Sequence, residues 1–155
     1  MGLDMYLARK IHIANYEHDP VGQVLSKAIM DALGVKNQDA YKDGTLEVTL
    51  PAAYWRKANA IHAWFVKNVQ DGEDDCREYD VDKSQLTTLR DTCADVLAGK
   101  LAPEAVLPAQ EGYFFGTYEY GDWYRQGLQD TIDQLDTALA NPVTDSDYFA
   151  YRASW

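Results

Sequence analysis

Trp55, Asn59, His62 and Val66 recur three and four residues apart, the spacing that gathers side chains along one margin of an α-helix. An indole plate, a carboxamide and an imidazole in one row can stack on a planar ligand and hydrogen-bond its edge. Arg56 and Lys57 beside them offer a cation to a phosphate or carboxylate. His62 is also the most economical general base, with an acid from 71–78, Asp75 among them, as its partner. Cys76 with His62 would make a nucleophile–base pair. The same residues have a plainer use. A tryptophan at a helix margin roofs a core, and a lone histidine there bonds a carbonyl or a carboxylate.

Two further stretches have unusual chemistry. Asp71-Gly72-Glu73-Asp74-Asp75-Cys76 is strongly acidic. A calcium loop needs alternating acids and a glycine at its sixth position. Here the glycine is second, so the spacing predicts a solvated loop and no metal. Gly112-Tyr113-Phe114-Phe115-Gly116 brackets three aromatics with glycines. It lacks the lysine and the Ser or Thr of a phosphate-cradling loop, so tight turns around buried rings are the simpler reading. Beyond it, Tyr118, Glu119 and Trp123 are candidates to line a pocket. There is no GxSxG, HExxH or Walker pattern. The motif search therefore disfavours catalysis, and no cofactor is expected.

The composition sets the context. The 155 residues carry 25 acidic and 14 basic side chains, a formal net charge of −11. An acidic field repels a phosphate backbone, so direct nucleic-acid binding is disfavoured. The length fits one domain spanning 1–155, large enough to fold without metal or disulfide. The two cysteines form no CxxC or Cys/His cluster. Cys93 falls on an apolar helical face and reads as core, whereas Cys76 ends the acidic loop; whether they pair stays open. No apolar run approaches the roughly 18 residues of a membrane span, and no secretion-type apolar segment opens the chain. The setting expected is cytoplasmic.

Periodicity supplies the elements that must hold these residues. Gly2 to Ile13 alternates as a strand with Leu3, Met5 and Leu7 on one face. Asp19 and Pro20 open a helix whose stripe is Val21, Val24, Leu25, Ala28, Ile29, Ala32 and Leu33, closed by Gly34. Thr45–Leu50 alternates as a strand that Pro51 stops. The central helix is expected from Ala52–Trp55 to about Gln70. A short extended piece at 78–81 precedes a helix with Leu86, Leu89, Cys93, Val96 and Leu97 inward. Pro103–Pro108 has room for one helical turn. A long helix follows Asp122, with Trp123, Leu128, Ile132, Leu135 and Leu139 inward, ending at Asn141-Pro142. Asp147–Trp155 is a terminal strand able to pair with the first. The class is α+β: about four helices on one face of a small antiparallel sheet, with a mostly helical domain as the alternative.

Several strings also resemble a family of small bacteriophage- and prophage-encoded proteins. They are Met1-Gly2-Leu3-Asp4-Met5-Tyr6-Leu7, Tyr54-Trp55-Arg56-Lys57-Ala58-Asn59 with Ile61-His62, Trp64-Phe65-Val66 through Gln70-Asp71-Gly72 and Asp74-Asp75-Cys76, the 112–116 segment, and Ser154-Trp155. Residues 14–45 depart most from that pattern. The resemblance implies a phage-derived protein of the bacterial cytoplasm and brings no activity with it. The leading expectation is an accessory protein that binds a host component, either a protein or a small nucleotide-like ligand, including a counter-defence role. The alternatives are a small hydrolase or nucleotide-processing enzyme built on His62 and an acid, and a structural or homodimeric interaction protein.

Overall fold

Leu3, Met5 and Leu7 are buried, and Tyr6 between them is exposed. That alternation makes the first strand half-buried, as its sequence predicts. The structure, a computed structural model, describes residues 2–110, 119–140 and 147–155. Among them the order is β1 (Asp4–Ala14), α1 (Pro20–Ala32), a 3₁₀ turn (Gln38–Tyr41), β2 (Thr45–Arg56), α2 (Asn59–Asn68), β3 (Tyr79–Val81), α3 (Lys83–Leu97), α4 (Pro103–Val106), α5 (Asp122–Ala140) and β4 (Asp147–Ser154). The four strands form one antiparallel sheet in the order β2-β1-β4-β3. The first and last strands are therefore central neighbours, with Met5 opposite Ala153 and Leu7 opposite Tyr151.

One core joins the buried rows of β1, β2 and β4 to α2, α3 and α5 through Trp55, Phe65, Leu86, Leu89, Leu128, Leu135, Phe149 and Tyr151. Phe65 and Tyr151 stack at 3.8 Å, nearly parallel. The opposite sheet face presents Tyr6, with Tyr54 and Arg152 directly across from it on either side. This is the α+β arrangement, with five α-helices among the described residues rather than about four because the 103–106 turn forms.

The local signals explain most boundaries. Asp19 accepts the Gly22 N–H at 2.9 Å and caps α1. Gln85 accepts the Asp82 N–H at 2.8 Å at the start of α3. Gly99 takes the left-handed conformation, φ 72°, just past α3.

Three expectations fail. Pro51 does not stop β2, and no helix starts at 52–55. The strand runs on to Arg56. It is an edge strand, where proline removes no ladder bond, and an irregularity between Leu7 and Ala8 absorbs it. The second failure is α1. Its expected core stripe faces outward, with Val21, Val24, Leu25 and Leu33 exposed, and Gly22, Ser26 and Met30 buried instead. The third is Trp123, which is 83% exposed. The expected helix end at Asn141-Pro142 and the 112–116 turns lie outside the described residues.

Candidate functional site

Two residues carry the chain from β2 into α2, so one of them must bend sharply. It is Lys57, with φ 55°. Its N–H still donates to the Leu3 carbonyl at 2.8 Å, continuing the ladder one residue past the strand. Three of the four side-chain-bearing residues at positive φ are Asn or Asp, which tolerate that conformation; Lys57 is the fourth. α2 then begins with Ala58 as its N-cap, which offers no side-chain cap to the first turn.

This turn forms one wall of a cavity of about 330 Å³. The wall is Arg56, Lys57, Ala58, Asn59, Ala60 and Ile61, and the facing wall is Trp123, Tyr124, Gly127 and Leu128 of α5. The volume is in the range of small-molecule sites. Among the described residues its charged lining is Arg56 and Lys57, with no carboxylate. Arg56 lies 4.0 Å from Asp4, a long and exposed contact, and Asp4 also accepts the Tyr54 hydroxyl. Asn59 is 5% exposed, and its Oδ1 accepts the Gln110 N–H at 3.1 Å, tying 107–110 to the start of α2. The Tyr124 hydroxyl donates to the Leu107 carbonyl at 2.8 Å, and burial first of all raises its pKa. Gly127 leaves open space where a Cβ would stand.

His62 occupies a different environment, one turn further along α2. It is 3% exposed. Nε2 meets Asp74 Oδ1 at 3.0 Å and Nδ1 meets the Tyr151 hydroxyl at 2.8 Å. A carboxylate only accepts, so Nε2–H donates to Asp74 and Nδ1 accepts from Tyr151. Burial lowers the His62 pKa, and Asp74 opposes that shift. Tyr151 is fully buried, which raises its pKa. The Trp155 ring lies 5.6 Å from the imidazole. The loop reaches His62 because the α2 terminus is wound tightly: the Gly72 N–H donates to the Val66 carbonyl and the Glu73 N–H to Gln70. A cleft of about 1030 Å³ beside it is lined by His62, Lys67, Asp71, Asp74 and apolar residues of α2 and α4. Its charges are mixed.

The sequence candidates thus divide. Arg56, Asn59 and Trp123 meet at one cavity, although 64 positions separate Asn59 from Trp123. Trp55 is on β2 and buried, its Nε1–H donating to Thr131 Oγ1 at 2.9 Å; it does not line the cavity. His62 lies at the mixed cleft and bonds Asp74, while Asp75 accepts from Arg77 and Tyr79. Glu119 is exposed and lines neither space. Tyr118 lies outside the described residues. Cys93 is buried, with its thiol pKa pushed up to about 12, and Cys76 is exposed, so the two are free thiols. Among the described residues no group of three or more His, Cys, Asp or Glu side chains could hold a metal ion. Among the described residues no helix is long and apolar enough to cross a membrane. The sequence reading missed Tyr124 and Gly127 and placed Leu128 in the core, where it is buried, without its part in the cavity wall; a glycine inside an otherwise strong helix was the signal available.

No protein-family model, curated protein or solved structure matches the chain.

Proposed function

We propose that this protein acts by binding, and that its ligand is a small molecule with a planar body and an anionic group, nucleotide-like in its chemistry, held between α2 and α5. One observation carries the reading. In a chain of net charge −11, the described residues that line this cavity include two cations and no carboxylate. Arg56 and Lys57 meet the anion by charge-assisted hydrogen bonds. Trp123 offers an exposed aromatic plate at the rim, and Ile61 and Leu128 an apolar floor. The resemblance to phage proteins supplies the setting: an accessory protein that ties up a host nucleotide-like molecule in the bacterial cytoplasm, as a counter-defence function would require.

A binding role also suits His62 better than a catalytic one. Both ring nitrogens are engaged, one by Asp74 and one by a fully buried tyrosine. A general base must reach the proton it takes, and here that reach is spent on holding the 71–75 loop and β4 together.

The test is titration with nucleoside 5′-monophosphates, the parent nucleosides and inorganic phosphate, read by tryptophan fluorescence and calorimetry. Monophosphates should bind and quench Trp123 fluorescence. Nucleosides should bind at least about tenfold more weakly, because they lack the charge-assisted bonds. Trp123→Ala should weaken binding and abolish the quench. Equal affinity for nucleosides and monophosphates, or binding untouched by Trp123→Ala, would defeat the proposal, as would no binding in the whole series.

A further inference from the structure

α1 turns its apolar side to solvent. Val21, Val24, Leu25 and Leu33 are 69%, 69%, 47% and 74% exposed, and Ala28 and Ala32 are exposed between them. The orientation is imposed from beneath. Gly22 packs so closely on β1 that a Cβ there would stand 1.9 Å from the Ala14 carbonyl oxygen. Ser26 and Met30, one and two turns on, complete the buried side. Among the described residues no other element exposes as many large apolar side chains as Val21, Val24 and Leu25 on α1 with Leu33 at its C-cap.

The spacing of Val21, Leu25, Ala28 and Ala32 is four, three, four. That is the alternation of a two-helix seam, in which apolar residues repeat every 3.5 positions on average. The charge pattern says which partner fits. α1 carries one cation and one anion, Lys27 and Asp31, and they pair with each other at 2.9 Å. The helix is therefore neutral in a chain of net charge −11. A basic partner would be drawn to the carboxylate-rich surfaces, and an anionic lipid surface would be repelled by the whole molecule. Two copies of this chain repel each other too, except where they meet on a neutral, apolar strip.

We propose that two copies pair through α1, antiparallel about a two-fold axis between Leu25 and Ala28, which sets Val21 against Ala32 and Leu25 against Ala28. A two-fold contact uses the same patch on both subunits, and a neutral seam with large residues in one half and small ones in the other is self-complementary in that sense. The pairing is independent of the α2–α5 cavity, so it stands or falls separately from the ligand reading.

Sedimentation of the full chain at high micromolar concentration tests this. The expected species has twice the 17.5 kDa monomer mass. Raising salt from about 0.01 M to about 1 M shortens the screening length from about 30 Å to about 3 Å. It should tighten the dimer by about tenfold or more, because the acidic surfaces then repel less. Val24→Lys with Leu25→Lys should give a monomer. That variant is less negative overall than the wild type, so its dissociation cannot come from greater repulsion between the acidic surfaces; it reports the charge placed in the seam itself. Both positions are exposed, and the variant's circular dichroism and melting at low concentration should match the wild type's. Leu101→Lys, an exposed apolar position elsewhere, should leave the dimer intact. A wild type that stays monomeric at high salt, a dimer that survives the double substitution, or a dimer that weakens with salt would each overturn the proposal.

Discussion

Replacing Lys57 by glycine should move stability and ligand affinity in opposite directions. The backbone there has φ 55°, a left-handed conformation that costs a residue with a Cβ about 1–2 kcal/mol. Glycine relieves that cost, and its larger unfolded-state freedom takes back about 0.5–1 kcal/mol. The Lys57 N–H bond to Leu3 survives the change. The lysine stem passes Gly2, its Cε standing 3.4 Å from where a Cβ there would be. The net expectation is a gain of about 0–1.5 kcal/mol in urea denaturation. The ammonium is lost from the cavity, and with it a charge-assisted bond of about 1.5–3 kcal/mol, roughly tenfold to a hundredfold in the affinity for a nucleoside monophosphate. Lys57→Ala separates the two effects. It keeps the strained backbone and loses the cation, so it should bind as poorly as Lys57→Gly with no gain in stability. If Lys57→Gly is destabilised by about 1 kcal/mol or more, the strain argument fails. If both variants bind like the wild type, the assignment of Lys57 to the ligand fails.

Two other perturbations separate structure from function. Gly127 sits inside α5, where glycine costs about 1 kcal/mol relative to alanine, and open space surrounds its Cβ direction; Gly127→Ala should raise the melting temperature, while Gly127→Leu should fill the cavity and abolish monophosphate binding, and a folded Gly127→Leu that binds normally would place the ligand elsewhere. The pH dependence of stability should carry the signature of His62. Its folded pKa is depressed below 6.5 by burial, with Asp74 opposing, so the unfolded chain binds the extra proton, and stability is full above about 6.5 and is lost as pH falls toward the folded value. The slope from one group cannot exceed about 1.4 kcal/mol per pH unit. Asp74→Asn removes the opposing charge and should extend the loss to lower pH. Urea midpoints that stay flat between pH 7.5 and pH 5 would contradict the burial argument.

The fold class was legible because alternation and helical spacing report which residues share a face. β1, α3 and β4 could be read that way, and the Asp19–Pro20 helix start has a local chemical cause. The Trp55 region shows where such reading stops. Tyr54, Trp55 and Arg56 fit either an extended chain or a helix. What selects the strand is pairing with Asp4–Leu7, about fifty residues earlier in the chain, together with an edge position that admits Pro51. The Asp74–His62 bond, one residue away from the expected Asp75, depends on how the chain leaves α2 at Gly72. The cavity was half legible. Arg56, Asn59 and Trp123 could be named as chemically suitable, yet their meeting depends on α5 lying beside the start of α2, and no local pattern encodes that.

Both outward-facing surprises have one cause. Periodicity identifies a face but not the side on which the core lies. In α5 the buried set is Leu128, Thr131, Leu135 and Ala138, spaced three and four apart. Trp123 precedes Leu128 by five residues, which at about 100° per residue puts it about 100° from the centre of that stripe. Phase alone therefore turns the indole away from the core, whatever its hydrophobicity. In α1 the phase is ambiguous, since Gly22, Ser26 and Met30 form a second row with its own spacing of four. Hydrophobicity favours one row and backbone approach the other, and the Gly22 contact with Ala14 decides for the second. The large apolar residues that result on the surface are thus consequences of how two helices seat themselves. That these two surfaces carry the ligand and dimer proposals follows from the same geometry: an apolar group that packing has turned outward is available to whatever binds there.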